Sequence, residues 1–179
     1  MKRIYLSLSN QSMNTFTLIG YNENCYDVQL CRDIQKRLTQ LGYLSCIIAE
    51  ADYDPNNRPV AAKHAGCTLY ISVHSAFSFD HKTTGTICYY HPEDKKSRHM
   101  ANELANSLTV ICTVVPNDDE AVQSGMRVYG VFRLIEIQKP HKLGMTAVQV
   151  EVNAHDNPDI CLWLISSFDK IAGTISRAI

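Results

Sequence analysis

The sequence predicts a single α/β domain: a mostly parallel or mixed, twisted sheet covered by helices on both faces. Three observations lead to that expectation. Short runs rich in Ile, Val, Tyr and Thr alternate along the chain with stretches of helical period. The 179 residues are 45% hydrophobic and 20% charged, enough for one proper core and hardly enough for two full domains. No internal repeat, low-complexity segment or Pro/Ser-rich linker divides the chain, so residues 1–179 read as one unit.

The first predicted strand covers residues 3–8, where Ile4, Tyr5, Leu6 and Leu8 cluster. A helix follows over residues 24–41, because Val28, Cys31, Ile34, Leu38 and Leu41 recur at helical steps and give one buried stripe. Gly42 stands where a helix-ending glycine belongs. Residues 45–49, 68–73 and 86–90 read as further strands, and residues 52–57 and 79–84 as loops between them. Met100, Ala101, Leu104, Ala105 and Leu108 set out a helix over residues 97–108. Residues 116–125 read as loop, and residues 128–135 as strand or mixed structure. A strand over residues 147–152 precedes a C-terminal helical run, which starts near Asn157 and Pro158 and carries Ile160, Leu164, Phe168, Ile171 and Ile175.

Charge excludes some function classes. Seventeen basic residues against eighteen acidic ones leave a formal charge of −1, so no broad field invites nucleic acid or an anionic membrane. No run approaches the ~20 apolar residues of a membrane helix. Polar residues arrive too early after Met1 for a signal-peptide apolar region, which leads us to expect a chain made in the cytoplasm. The seven cysteines (25, 31, 46, 67, 88, 112 and 161) include no C-x-x-C pair, and most lie in apolar runs as reduced core thiols would.

Ligands of α/β sheets gather beyond the carboxyl ends of the strands, so polar residues closing an apolar strand are the first candidates. His74 follows the run Leu69, Tyr70, Ile71, Ser72 and Val73, and small residues succeed it. A strand end holds an imidazole rigidly, as a metal ligand requires; the alternative is a histidine that caps the strand and binds a nearby carbonyl. Glu23 stands at the start of the first helix, where a carboxylate gains from unpaired amides and also offers a hard oxygen to zinc or another divalent cation. Glu151 alternates with Val148, Val150 and Val152; it is either part of a solvated strand face or a general base tuned by burial. His155 and Asp156 follow closely at the same rim. Carboxylates and an imidazole on elements whose ends converge point to a metal-hydrolase site.

Five motifs in register carry a resemblance across essentially the whole chain. They are Glu23 with Gly42 closing its helix; Arg58 with Ala62; Ile71, Ser72, Val73 and His74; Gly85 with Tyr89 and Tyr90; and Val150 with Glu151. In order and spacing they resemble the zinc-dependent N-acetylmuramoyl-L-alanine amidases, cell-wall hydrolases of bacteria and phage endolysins. Two positions depart from the family pattern. Ser9, Asn10, Gln11 and Ser12 stand where the family places a Gly-His-Gly-Gly turn with its first ligand histidine, and Ala76 stands where an Asn is usual. The turn is similar to a Ser-x-Ser-Asn-Gln version in some phage and clostridial relatives.

The resemblance implies Zn2+ held by Glu23, His74 and a third group. Gln11 would supply an amide oxygen, which is a poor zinc ligand beside imidazole; His155 would instead supply a nitrogen or a partner for the tetrahedral oxyanion. It implies Glu151 as the general base that activates water and returns a proton to the leaving amine. The implied substrate is bacterial peptidoglycan, cut between N-acetylmuramic acid and L-alanine, with neither nucleic acid nor membrane insertion involved. The loops at residues 52–57 and 79–84 are the natural contacts for glycan and stem peptide. An endolysin-like protein of this kind would wait in the cytoplasm until released to the cell wall. Two other readings stay open: a metal-free peptidoglycan-binding relative, motivated by the missing histidine turn, and another metal-dependent amide hydrolase on the same scaffold.

Overall fold

The computed structural model describes residues 3–18, 20–43, 46–49, 54–78, 80–116, 121–126 and 133–179. Its strands are β1 (Ile4–Leu8), β2 (Cys46–Ile48), β3 (Leu69–Ala76), β4 (Ile87–Tyr90), β5 (Val122–Ser124) and β6 (Thr146–Ala154). Its helices are α1 (Glu23–Gln40), α2 (Arg58–His64), α3 (Lys95–Ile111), α4 (Ile135–Lys142), α5 (Pro158–Ser166) and α6 (Phe168–Ala178). The strands make one mixed sheet in the order β2-β1-β3-β6-β4-β5. β2, β1, β3 and β6 run parallel; β4 is antiparallel to β6 and carries β5 parallel to itself. The expected α/β class is the observed one.

Alternation along the strands sorts side chains onto two faces. On one face Ile4, Leu6, Leu8, Leu69, Ile71, Val73, Val148, Val150 and Val152 pack against α1, α3 and α6 in the larger core. That burial explains the helical stripes: Leu30, Cys31, Ile34 and Leu38 of α1 and Ala101, Leu104 and Leu108 of α3 all point into it. The opposite face meets α2 and α4 through Ala62 and Ile137, with Tyr5 stacked on Tyr70 at 5.4 Å between ring centroids.

This second face changes character along the strands. The register row Tyr5, Tyr70 and Ala147 is apolar, the next row is Ser7, Ser72 and Gln149, and beyond it His74 pairs with Glu151. The carboxyl half of that face is therefore a buried polar strip, a costly arrangement unless its groups satisfy one another.

Several boundaries differ from expectation. β3 continues through His74 to Ala76, because β6 extends to Ala154 and keeps pairing with it across a bulge. The expected loop over residues 116–125 contains β5, a strand of three residues, too short to show a period. Of the run over residues 128–135, residues 128–132 lie outside the described residues, while Ile135 begins α4 rather than continuing a strand. The C-terminal helical run divides at Ser167, which ends α5 and starts α6, so that α6 turns to pack on α1 and α3. Ser45, in the second expected strand, and residues 52–53, 79 and 117–120 of the expected loops also lie outside the described residues.

Two glycines are required where they stand. Gly42 follows α1 with φ of 88°, in the left-handed region. At Gly125 a Cβ would lie 2.9 Å from Ile137 of α4, so the turn after β5 and the helix approach as closely as they do only because residue 125 has no side chain.

Candidate active site

At the carboxyl edge, His74 is gripped from both sides. Asn22 caps α1, accepting from the Cys25 amide, and Glu23 takes the first helical position with its side chain buried. Glu23 Oε1 lies 3.1 Å from His74 Nδ1 and accepts from the Ser75 amide at 3.3 Å, while Oε2 accepts from Asn14 Nδ2 at 2.7 Å. On the other edge of the ring, Glu136 in the first turn of α4 brings Oε2 to 3.3 Å from Nε2. Ser72 Oγ lies 3.0 Å from the same nitrogen and donates to Glu136 Oε2 at 2.9 Å. Glu136 Oε1 accepts from Tyr70 Oη at 2.7 Å and from Ser7 Oγ, and lies 4.0 Å from the guanidinium of fully buried Arg58. Arg58 donates to Ser7 Oγ at 3.0 Å and to the Leu8 carbonyl.

This network sets the charges. Burial opposes a charge on His74, but hydrogen bonds and attraction from Glu136 and Glu23 outweigh it and raise the imidazole well above its ordinary value. Burial likewise opposes ionisation of Glu136, and the bond and charge of His74, with Ser7 and Tyr70, bring it down to about 2. Glu23 is held below the usual carboxylate range, as His74, Asn14 and Ser9 together overcome its burial. The metal-free state is thus an imidazolium between two carboxylates. Asp27, one turn beyond Glu23, behaves oppositely: it is fully buried, neither oxygen makes a well-formed hydrogen bond among the described residues, and burial followed by the charge of Glu23 pushes it well up against the weaker influence of His74 and the Ser9 amide.

The expected site residues take three kinds of position. Glu23 and His74 touch. Glu151 is the register partner of His74 on the neighbouring strand, half-buried on the same face, with Gln149 Nε2 at 3.5 Å from its Oε1. His155, just beyond β6, is buried; its Nδ1 lies 2.9 Å from Ser75 Oγ, its ring stacks on Phe16 at 5.2 Å, and its Nε2 has no partner among the described residues. Burial, the largest influence, pulls His155 below the ordinary imidazole value. Ser75 joins the groups, giving its amide to Glu23 and its hydroxyl to His155. Gln11 is exposed and one residue removed, its Oε1 accepting from Asn14 Nδ2 at 2.7 Å. Asp156 points elsewhere, toward Ser78 and His81.

Glu136 was not among the expected residues. Its only sequence signal is a carboxylate set between Ile135 and Ile137, and that alternation reads as strand. Asn14 and Asp27 carried no signal of their own. Arg58 was legible as part of a motif but not as the buried cation behind Glu136.

The donor set suits zinc: a carboxylate oxygen and an imidazole nitrogen face each other, and the orphaned Nε2 of His155 is a buried nitrogen awaiting a partner. Among the described residues, however, the set of three such ligand atoms lying mutually within 4.8 Å is a different one, His91, Glu93 and His141.

The polar strip ends in carboxylates and a histidine at the carboxyl edge of an α/β sheet, the edge at which such sheets gather their ligands. Residues 12–179 match the family model described as N-acetylmuramoyl-L-alanine amidase, and the chain belongs to that family, whose members hydrolyse peptidoglycan. Solved structures share the fold. Ami1 of Mycobacterium abscessus superposes with a TM-score of 0.78 at 13% identity, covering 99% of this chain and 96% of that one. The catalytic domain of CwlV from Bacillus (Paenibacillus) polymyxa var. colistinus gives 0.72 at 15% identity, with 100% and 94% covered. The catalytic domain of the CD27L endolysin, which targets Clostridia difficile, gives 0.73 at 17% identity, with 99% and 96% covered. Comparison with curated proteins returns no match. No helix among the described residues is long and apolar enough to cross a membrane.

Proposed function

We propose that residues 1–179 form the catalytic domain of a zinc-dependent amidase that cuts the bond between the lactyl carbonyl of N-acetylmuramic acid and L-alanine in cell-wall peptidoglycan. The observation that carries this reading is the buried Glu23–His74 pair, 3.1 Å apart, with Glu151 beside His74 in register. Bound zinc would acidify a water and polarise the scissile carbonyl. Glu23 and His74 would hold it, with Gln11 or His155 completing the shell. His74 offers Nδ1 only after losing a proton there, and Glu136 keeps the Nε2 proton and fixes the ring, the task of a carboxylate behind a ligating histidine. Ser7, Tyr70, Ser72 and Arg58 in turn fix Glu136. Glu151 takes the proton of the attacking water and hands one to the departing amine of L-alanine. His155, whose buried Nε2 makes no hydrogen bond among the described residues, would serve the shell or the oxyanion.

One observation favours a second reading, a wall-binding relative without metal: His74 is already satisfied by two carboxylates. A digest of purified peptidoglycan separates the two. The zinc-loaded protein is expected to release stem peptides with a free L-alanine amine and leave the glycan chain whole. Glu151→Gln is expected to lower that release by about 10²–10⁴-fold while the protein stays folded. Binding to the wall without any new L-alanine amine would overturn the amidase reading.

A further inference from the structure

We propose that His91, Glu93 and His141 form a second divalent-metal site, at the amino edge of the parallel strands and apart from the Glu23–His74 site, and that it takes zinc or a similar imidazole-seeking transition ion. β4 is antiparallel to β6, so Ile87 pairs with Glu151 near the active site while Tyr90 pairs with Val148, and His91 comes out at the far edge. α4 makes the same crossing, with Glu136 in its first turn on His74 and His141 in its last turn on His91.

Ligand atoms of the three residues lie within 4.8 Å of one another. The two imidazoles lie face to face, centroids 3.6 Å apart and planes 11° apart, and His141 Nε2 stands 3.9 Å from Glu93 Oε2. Neither ring is otherwise well served. His91 is only 6% exposed, yet a long 3.3 Å bond from the Glu93 amide to Nδ1 is the one hydrogen bond its ring makes among the described residues. The Glu93 amide is aimed at Nδ1, so that nitrogen presents a lone pair rather than a proton.

Two imidazoles with one carboxylate, and an open side for water, match the ligand preference of zinc and its transition-row neighbours; calcium and magnesium call for more oxygens. Closing onto an ion with bonds of about 2.0–2.1 Å requires a ring to turn its edge inward. His141 and Glu93 have the freedom for it, with side chains 29% and 81% exposed.

The test is titration of the metal-stripped full chain with Co2+, read by visible absorption, for wild type, His141→Ala, Glu93→Gln and His74→Ala. His141→Ala is expected to bind about one ion per chain fewer than wild type, and Glu93→Gln to bind that ion at least about tenfold more weakly. The ion should show no thiolate-to-cobalt band, since no cysteine belongs to the site. If His74→Ala folds, it keeps this ion, whereas failure of the catalytic reading alone would leave wild type with this ion and no other. His141→Ala binding as many ions as wild type, or a thiolate band on the ion it loses, would overturn the proposal.

Discussion

At the carboxyl edge of the sheet, His74 stands between Glu23 and Glu136, and its raised proton affinity makes it a cation in the absence of metal. At the amino edge, His91 lies against a second imidazole, and its lowered affinity keeps it neutral. Burial opposes the charge on both rings; at His74 two hydrogen-bonded carboxylates overcome it, while at His91 a second histidine adds to it and the more distant pull of Glu93 and Asp94 does not make up the difference. The lesson concerns metals as much as protons. An ion entering at His74 must displace a bound proton and break an existing ion pair, whereas at His91 a lone pair is already available.

The harshest way to break the comparison is to remove the cation of the carboxyl edge. His74→Ala leaves Glu23 and Glu136 buried with their shared partner gone, and is expected to cost about 3–5 kcal/mol in urea unfolding of the metal-free protein. His141→Ala, which removes a partly exposed ring, is expected to cost about 1 kcal/mol or less under the same conditions. Equal losses would show that the edges do not differ as described.

A milder change sharpens it. Glu136→Gln keeps the shape but removes one of the two charges raising His74, and leaves Arg58 buried with less compensation. A loss of about 1–3 kcal/mol is expected, together with a fall in the His74 titration midpoint measured by NMR of the ring protons. An unchanged midpoint would mean that Glu23 alone sets it.

The smallest effect is a pH dependence of opposite sign at the two edges. His74 is raised above its unfolded value of 6.5, so its contribution to stability is full below that pH and is lost as pH rises through the folded value. His91 is lowered from 6.5, so its contribution is present above that pH and is lost as pH falls through the folded value. Urea unfolding of wild type against His74→Gln and His91→Gln, without metal, should show the first difference shrinking toward alkaline pH and the second toward acid.

What was legible in the sequence divides along physical lines. α1 and α3 announced themselves because their buried stripes run for about three turns or more, and β1, β3, β4 and β6 because they are dense in branched and aromatic residues. α2 and β5 are too short to display a period. α4 carries Pro140 in its interior and opens on an Ile-Glu-Ile alternation, so local pattern argues against the helix that packing imposes. At the active site, Glu23 and His74 were readable because element ends mark them. Glu136 was not, since its role comes from burial against Ser7, Tyr70, Ser72 and Arg58, residues far from it in the chain.

The missing side chain of Gly125 lets Ile137 seat α4 hard against the turn after β5, with the Gly125 carbonyl accepting from Leu134 at 2.8 Å and its amide donating to Tyr90 at 2.9 Å. α4 is thereby a strut clamped near its middle, with Glu136 and His141 about 7.5 Å apart along its axis. The two edges thus share one element, and a ligand at His141 acts on His74 only if it favours one seating of α4 over another, in which case linkage makes the effect equal in the reverse direction.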